Sequence, residues 1–230
     1  MQPGDDIAAL IAERATLRDG DVVVIAQKVV SKAEGRLVDI EAVTAGEDAR
    51  RIAPRLIAEP DPRVVQVVLD ESTRVLRSDR VLITETHHGF VAANSGVDHS
   101  NVGEGKLALL PVDPDASARR IRDALIEATG ARVGVIVSDT FGRPWRLGIV
   151  NVALGVAGLP AVIDLRGTVD DVGQPLHATV LAVADEIAAG AGLVMGKTGR
   201  TPVVIVRGIA LQGSGSGRDL IRPADEDLFR

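Results

Sequence analysis

Apolar positions in this chain come in short β-branched runs and in longer helical stripes, and the two kinds alternate. Asp21-Val22-Val23-Val24-Ile25-Ala26, Val133-Gly134-Val135-Ile136-Val137, Ala161-Val162-Ile163-Asp164 and Pro202-Val203-Val204-Ile205-Val206-Arg207 have the length and composition of strands. Shorter strand-like segments lie at Arg74-Val75-Leu76, Val81-Leu82-Ile83-Thr84 and Gly89-Phe90-Val91-Ala92. Helical spacing predicts a short amphipathic helix over 6–12, a longer one over 39–59 closed by Pro60, and another over 61–71. Asp113-Pro114-Asp115 is a strong helix start, with an Asp cap, Pro in the first turn and an acid at the positive end of the dipole. Ile121, Ala124, Leu125 and Ala128 would form its apolar face and Gly130 its stop. Residues 177–195 are nearly all apolar and predict a buried helix. Between these elements, residues 27–36 form a polar stretch rich in cations. The alternation predicts an α/β protein, or a mixed α+β one.

Composition narrows this picture. The chain has 230 residues, 46% hydrophobic but only 2% aromatic, with no tyrosine, so Val, Leu, Ile and Ala must build the core. A net charge of −6 argues against a general nucleic-acid binder. Cysteine is absent, which excludes disulfides and thiolate metal sites. No apolar run approaches the roughly 18 residues of a membrane helix, and Met1-Gln2-Pro3-Gly4-Asp5-Asp6 is no signal peptide. The expectation is a soluble cytoplasmic protein with neither nucleic acid nor membrane as partner.

Candidate chemistry gathers in a few loops. Ser138-Asp139-Thr140-Phe141-Gly142-Arg143-Pro144-Trp145-Arg146 follows an apolar run. If that strand stops at Ser138, Asp139 and Thr140 lie at its carboxyl end, where open α/β sheets bind ligands. An acidic metal ligand beside Arg143 and Arg146 suits phosphate chemistry; an N-cap, a turn and two solvated arginines is the plainer alternative. Asn94-Ser95-Gly96-Val97-Asp98-His99-Ser100-Asn101 concentrates polar ligands, and Asp98 could join Asp139 on Mg²⁺ or Mn²⁺. An Asn/Asp turn explains the same residues. Gly213-Ser214-Gly215-Ser216-Gly217 reads either as a backbone cradle for an anion or as a flexible surface loop. Lys28 and Lys32 could meet a phosphate or carboxylate, or form a solvated face. Gly196-Lys197-Thr198 lacks the leading glycine of a P-loop and reads as a helix-to-strand turn. His87-His88 reads as a polar turn, because adjacent side chains on an extended segment face opposite ways.

Taken together, several blocks resemble the coenzyme F420-0:L-glutamate ligase family. They are residues 21–36, Asn94 to Val102, Ser138 to Arg146, and the closing Asp227-Leu228-Phe229-Arg230, so the resemblance covers nearly the whole chain. It implies an unusual two-lobed α/β fold that pairs as an intimate homodimer. It also implies a single gamma-glutamyl ligase domain over 1–230. In actinobacterial members a nitroreductase-like flavin domain often follows that domain. The family reaction uses GTP to phosphorylate the terminal carboxylate of F420-0. The amine of L-glutamate then displaces phosphate, and repetition builds a gamma-linked polyglutamate tail. By position, Asp98, Asp139 and Thr140 match divalent-metal ligands, with Gln212 reaching a second ion. The implied cofactors are two Mg²⁺ or Mn²⁺ ions and K⁺, with GTP as co-substrate. Gln27, Lys32 and Asn101 match nucleotide positions, and Gln212, Gly213, Ser214, Gly215, Ser216 and Gly217 match a late loop near the phosphates. Asp139, Arg143 and Arg146 are the catalytic candidates. The family's opening strand and Leu-Pro loop precede the first residue here, so this chain is expected to bind GTP more weakly than a longer version. Two other readings stay open: a non-catalytic substrate-binding or dimerisation module, and a metal-dependent phosphohydrolase using the same carboxylates.

Overall fold

A computed structural model describes residues 1–58, 60–211 and 213–227. In chain order the helices are α1 (Ile7–Ala12), α2 (Gln27–Ala33), α3 (Glu47–Ile52), α4 (Pro62–Asp70), α5 (Pro114–Thr129) and α6 (Val183–Met195). The strands are β1 (Val22–Ala26), β2 (Leu37–Asp39), β3 (Ser72–Asp79), β4 (Val81–Thr86), β5 (Val91–Ala93), β6 (Lys106–Ala108), β7 (Gly134–Arg143), β8 (Arg146–Ala157), β9 (Ile163–Asp164), β10 (Val180–Leu181) and β11 (Val203–Val206). The fold is mixed α and β, as the alternation predicted. The chain divides into two compact units: residues 1–6, 27–113 and 140–150 in the first, and 7–26, 114–139 and 151–230 in the second.

The first unit is built on a meander. Strands β3, β4 and β5 form an antiparallel sheet, and β2 pairs antiparallel with β6. Helix α4 starts where Asp61 caps Arg63 N and Pro62 needs no partner for a missing N–H. It buries Val64, Val65, Val67 and Val68, the first and third against Leu107 and Leu109, the others against Leu82, Ile52 and Ala49. The single helix predicted over 39–59 is not formed. Its span contains β2's last residue, short 3-10 turns at Ile40–Ala42 and Ala53–Arg55, and α3 between them. Gly46 caps α3 in extended conformation, and Pro54 lies within the second 3-10 turn, where no α-helical hydrogen bond could reach it. Glu59, at the end of that predicted helix, lies outside the described residues. The polar stretch after β1 is helical, as α2.

The second unit centres on the sheet β11-β1-β7-β8, with β1 parallel to β7 and antiparallel to β11. Val22 to Ile25 are all buried, and burying such a side chain contributes about 1.5–3 kcal/mol by transfer. Helix α6 covers this sheet with Ala184, Ile187, Ala188, Ala191 and Met195. It begins at Val183, after β10, rather than at 177, and its outer side is open: Leu193 is 89% exposed. Helix α5 buries Ala118, Ile121 and Leu125, whereas Ala128 faces solvent, and it packs against α1. Gly196 ends α6 with φ +56°, the expected helix-to-strand turn.

Two carboxylates border the outermost strand of this sheet. Asp185, in the first turn of α6, accepts a 2.8 Å hydrogen bond from Ala153 N. Its burial holds its carboxyl above the ordinary range, against the lowering effect of that bond. Asp115 accepts from Val156 N and Gly217 N, both at 2.8 Å, and from Ser216 Oγ at 2.6 Å.

Candidate functional site

Strand β4 and the turn after β5 place the most informative cluster. Asn94, Ser95 and Gly96 all have positive φ, +53°, +51° and +70°. Three consecutive left-handed residues, two of them not glycine, are costly unless held. Ser95 is buried, its amide donates to Thr84 Oγ1 at 3.0 Å, and its hydroxyl lies 2.7 Å from the same atom. A Cβ on Gly96 would come within 2.8 Å of Leu110 Cδ2. The turn is therefore fixed, and the next residues leave it in one direction: Asp98 bridges Ala108 through both backbone groups, at 3.0 and 2.8 Å.

Helix α2 faces that loop. Lys28 Nζ donates to Asp98 Oδ2 at 2.7 Å and to Ser100 Oγ at 2.5 Å. One turn later Lys32 Nζ donates to the carbonyl of Asn101, which sits at φ +60°. Asp98 Oδ1 also accepts from Ser100 N at 2.6 Å. Burial of Asp98 opposes its ionisation, but the hydrogen bonds from Lys28 and Ser100 and the ammonium charge outweigh it, so the carboxyl lies below its ordinary range. At the head of the helix Gln27 is buried, with Oε1 accepting from Ser31 Oγ at 2.8 Å. Its amide nitrogen, also buried, makes no hydrogen bond among the described residues. A buried donor without an acceptor is costly, and a ligand oxygen would satisfy it.

The first unit thus brings together Asp98, Asn101 and Lys32 of the expected site with Lys28, read from sequence as a phosphate or carboxylate contact but given no place in the family's site, and Ser100 of the polar Asn94–Asn101 segment. The signal for Lys28 lay in its spacing: four residues from Lys32, it shares a face once 27–33 is helical. Thr140, half-buried, and Phe141 open the hairpin segment of this unit, where Phe141 meets Phe90 edge-on at 6.5 Å. Arg143 and Arg146 flank the two-residue turn at Pro144-Trp145 and are exposed; Arg143 Nη2 donates to Leu147 O at 2.8 Å. His87 and His88 form a turn, as expected, each with Nε2 on a backbone carbonyl.

In the second unit Asp139 is half-buried, but it is not at a strand end. Strand β7 runs on to Arg143 and returns as β8, because a two-residue turn lets both polar segments keep their ladder. Ser214 is exposed, Ser216 caps a 3-10 turn with a reciprocal bond to Asp219, and Gly217 is buried. These glycines are held by packing: a Cβ on Gly215 would lie 2.3 Å from Ala161 N, and one on Gly217 would lie 2.0 Å from Leu154 O. The flexible-loop alternative therefore fails at these two positions. Gln212 and the closing Leu228, Phe229 and Arg230 lie outside the described residues.

Oxygen chemistry suits a hard cation here. Lys28's ammonium rests among Asp98 and Ser100 oxygens, so this corner already accommodates positive charge. Among the described residues no three His, Asp or Glu side chains converge as a metal-binding group. A divalent ion on Asp98 would need hydroxyl, carbonyl, phosphate or water oxygens to complete its shell, as Mg²⁺ commonly does.

Residues 1–208 match the family described as F420-0:Gamma-glutamyl ligase. The chain belongs to that family. Among its relatives, the Coenzyme F420:L-glutamate ligase of Methanocaldococcus jannaschii is 46% identical over 228 residues, covering 98% of this chain and 90% of that protein. The protein of the same name from Halobacterium salinarum is 48% identical over 235 residues, covering 100% and 91%. That from Archaeoglobus fulgidus is 46% identical over 231 residues, covering 100% and 92%. The resemblance read from the Asn94, Ser138 and residue 21–36 blocks is thus confirmed at the level of family.

Proposed function

We propose that this protein is a coenzyme F420-0:L-glutamate ligase that extends its substrate through an acyl phosphate made from GTP. The supporting observation is the family match over residues 1–208, and the Lys28–Asp98–Ser100 and Lys32–Asn101 contacts supply charge of the kind this chemistry needs. A carboxylate is a poor electrophile, so its oxygen first takes the γ-phosphoryl group and GDP departs. The glutamate amine then attacks the acyl carbon, phosphate leaves with the carboxyl oxygen, and the nitrogen loses a proton as the amide forms. Negative charge develops on the phosphoryl oxygens during transfer, and fixed cations favour it.

In this reading Lys32 and Asn101 hold the nucleotide, with the buried amide of Gln27 donating to one of its oxygens. Gly213, Ser214, Gly215, Ser216 and Gly217 are assigned to the phosphates, on the strength of the family resemblance alone. Asp98, Asp139, Thr140 and Gln212 are the residues for Mg²⁺ or Mn²⁺, with K⁺ as a further ion. A divalent ion, when bound, would neutralise phosphate charge. Arg143 and Arg146 are assigned to substrate phosphate or carboxylate. The protein would work in the cytoplasm; among the described residues no helix is long and apolar enough to cross a membrane. A homodimer belongs to the same proposal, supported by the hairpin, where Trp145 is 81% and Leu147 97% exposed.

Mass spectrometry of F420-0 incubated with the protein, GTP, Mn²⁺ and L-glutamate tests the reaction. Mass gain in glutamate steps is the expected result. GDP and phosphate release that ignores glutamate would assign the site to phosphohydrolysis instead.

A further inference from the structure

Three oxygens surround the Lys28 ammonium: Asp98 Oδ2 at 2.7 Å, Ser100 Oγ at 2.5 Å and Ser100 O at 3.4 Å. The other Asp98 oxygen is tied to Ser100 N, so the carboxylate cannot rotate away without losing a bond. This is a cation seat occupied by the protein's own side chain. A divalent ion using Asp98 would stand 2.0–2.6 Å from its oxygen, against an ammonium only slightly farther out. Two positive charges so close in a half-buried corner repel strongly, and lysine's flexible stem allows its head to retract.

We propose that Lys28 is a placeholder cation, which holds Asp98 and Ser100 in ligand geometry while the divalent ion is away and yields Asp98 when the ion arrives. The inference rests on the metal-dependent reading above. Lys32 makes the exchange local: its bond to Asn101 O keeps the loop tied to α2 while Lys28 lets go. The apo site is thereby spared a bare carboxylate, and metal binding carries an intrinsic competitor that sets its affinity.

Mn²⁺ titration of the metal-stripped full chain without nucleotide, followed by the electron paramagnetic resonance signal of free Mn²⁺, tests this. Lys28→Met should bind Mn²⁺ roughly 3- to 10-fold more tightly than the unaltered protein, the scale of one partly exposed ion pair. Lys28→Arg, which keeps the charge, should stay near the unaltered value, and the gain in Lys28→Met should shrink as KCl is raised. Asp98→Asn should weaken binding at least about tenfold, as loss of a charged ligand requires. Unchanged or weaker binding in Lys28→Met, with Asp98→Asn still weakened, overturns the placeholder and leaves the metal reading standing. Unaltered binding in Asp98→Asn overturns both. Should Lys28→Met fail to fold, Lys28→Gln makes the same comparison.

Discussion

The Asp21 carboxylate, fully buried at the entrance to β1, takes two 2.7 Å hydrogen bonds from the Arg207 guanidinium at the exit of β11. Arg18 N adds a third at 2.8 Å. The pair closes the open end of the antiparallel β1–β11 ladder, where Val22 opposes Val206. The bonds from Arg207, aided by Arg18, hold the Asp21 carboxyl below its ordinary value despite burial. A lowered folded-state value stabilises above the unfolded value of about 3.9, and the benefit fades as pH falls through the folded one. Asp21→Asn should therefore be less stable than the unaltered protein at neutral pH, with the gap closing in acid. Urea unfolding from about pH 7 to pH 2 checks this; a constant gap would contradict it.

Asp115 joins three parts of the second unit through its bonds to Val156, Ser216 and Gly217. Truncation to Ala leaves two buried backbone N–H groups without acceptors. We expect Asp115→Ala to lose about 3 kcal/mol or more, since each stranded buried donor costs about 1–3 kcal/mol. Asp115→Asn, which keeps one oxygen, should lose less. Chemical denaturation gives both values.

Gly215→Val should unfold the protein more readily rather than only weaken nucleotide binding, because its Cβ would collide with the backbone of residues 159–161. Overpacking typically costs about 1–3 kcal/mol, and contact with rigid backbone puts this site at the upper end. A melting curve like that of the unaltered protein would show that the loop can shift.

Asp139→Asn should lower turnover at least about 100-fold while the melting temperature stays nearly constant. Steady-state GDP release with glutamate present measures the first, calorimetry the second. Parallel loss of both would make Asp139 a structural residue.

If the exposed hairpin pairs two copies, Leu147→Asp should shift the mass seen in light scattering from dimer toward monomer at micromolar concentration. An unaltered chain that is already monomeric would refute the dimer itself.

Where the sequence was legible, one physical signal dominated. β1 is β-branched and buried from Val22 to Ile25 and β7 from Val135 to Val137, and α4 and α5 begin at Asp-Pro pairs that favour a helix start. The segment over 39–59 misled because its apolar spacing fits a helix, while Gly46 and Pro54 act locally to break it. Helix α2 hid behind Val29-Val30, which favour strands; as a helix it buries Gln27, Val30 and Ser31. β8 went unread because Gly148 and Gly155 interrupt its pattern, and Gly155 is dictated by the backbone of Pro114, 2.1 Å from where its Cβ would be. In the site, the residue types of Asp98 and Asn101 were visible. The ion pair to Lys28 spans 70 positions, and no local pattern encodes it.

The carboxylates of Asp115 and Asp185 that take the amides of Val156 and Ala153 have a meaning beyond stability. A strand at a sheet's margin normally offers unclaimed N–H groups on which another chain can template itself. Here two of those groups are already claimed, by acids carried on α5 and α6. At those two positions an added strand would first have to displace Asp115 or Asp185 before it could pair.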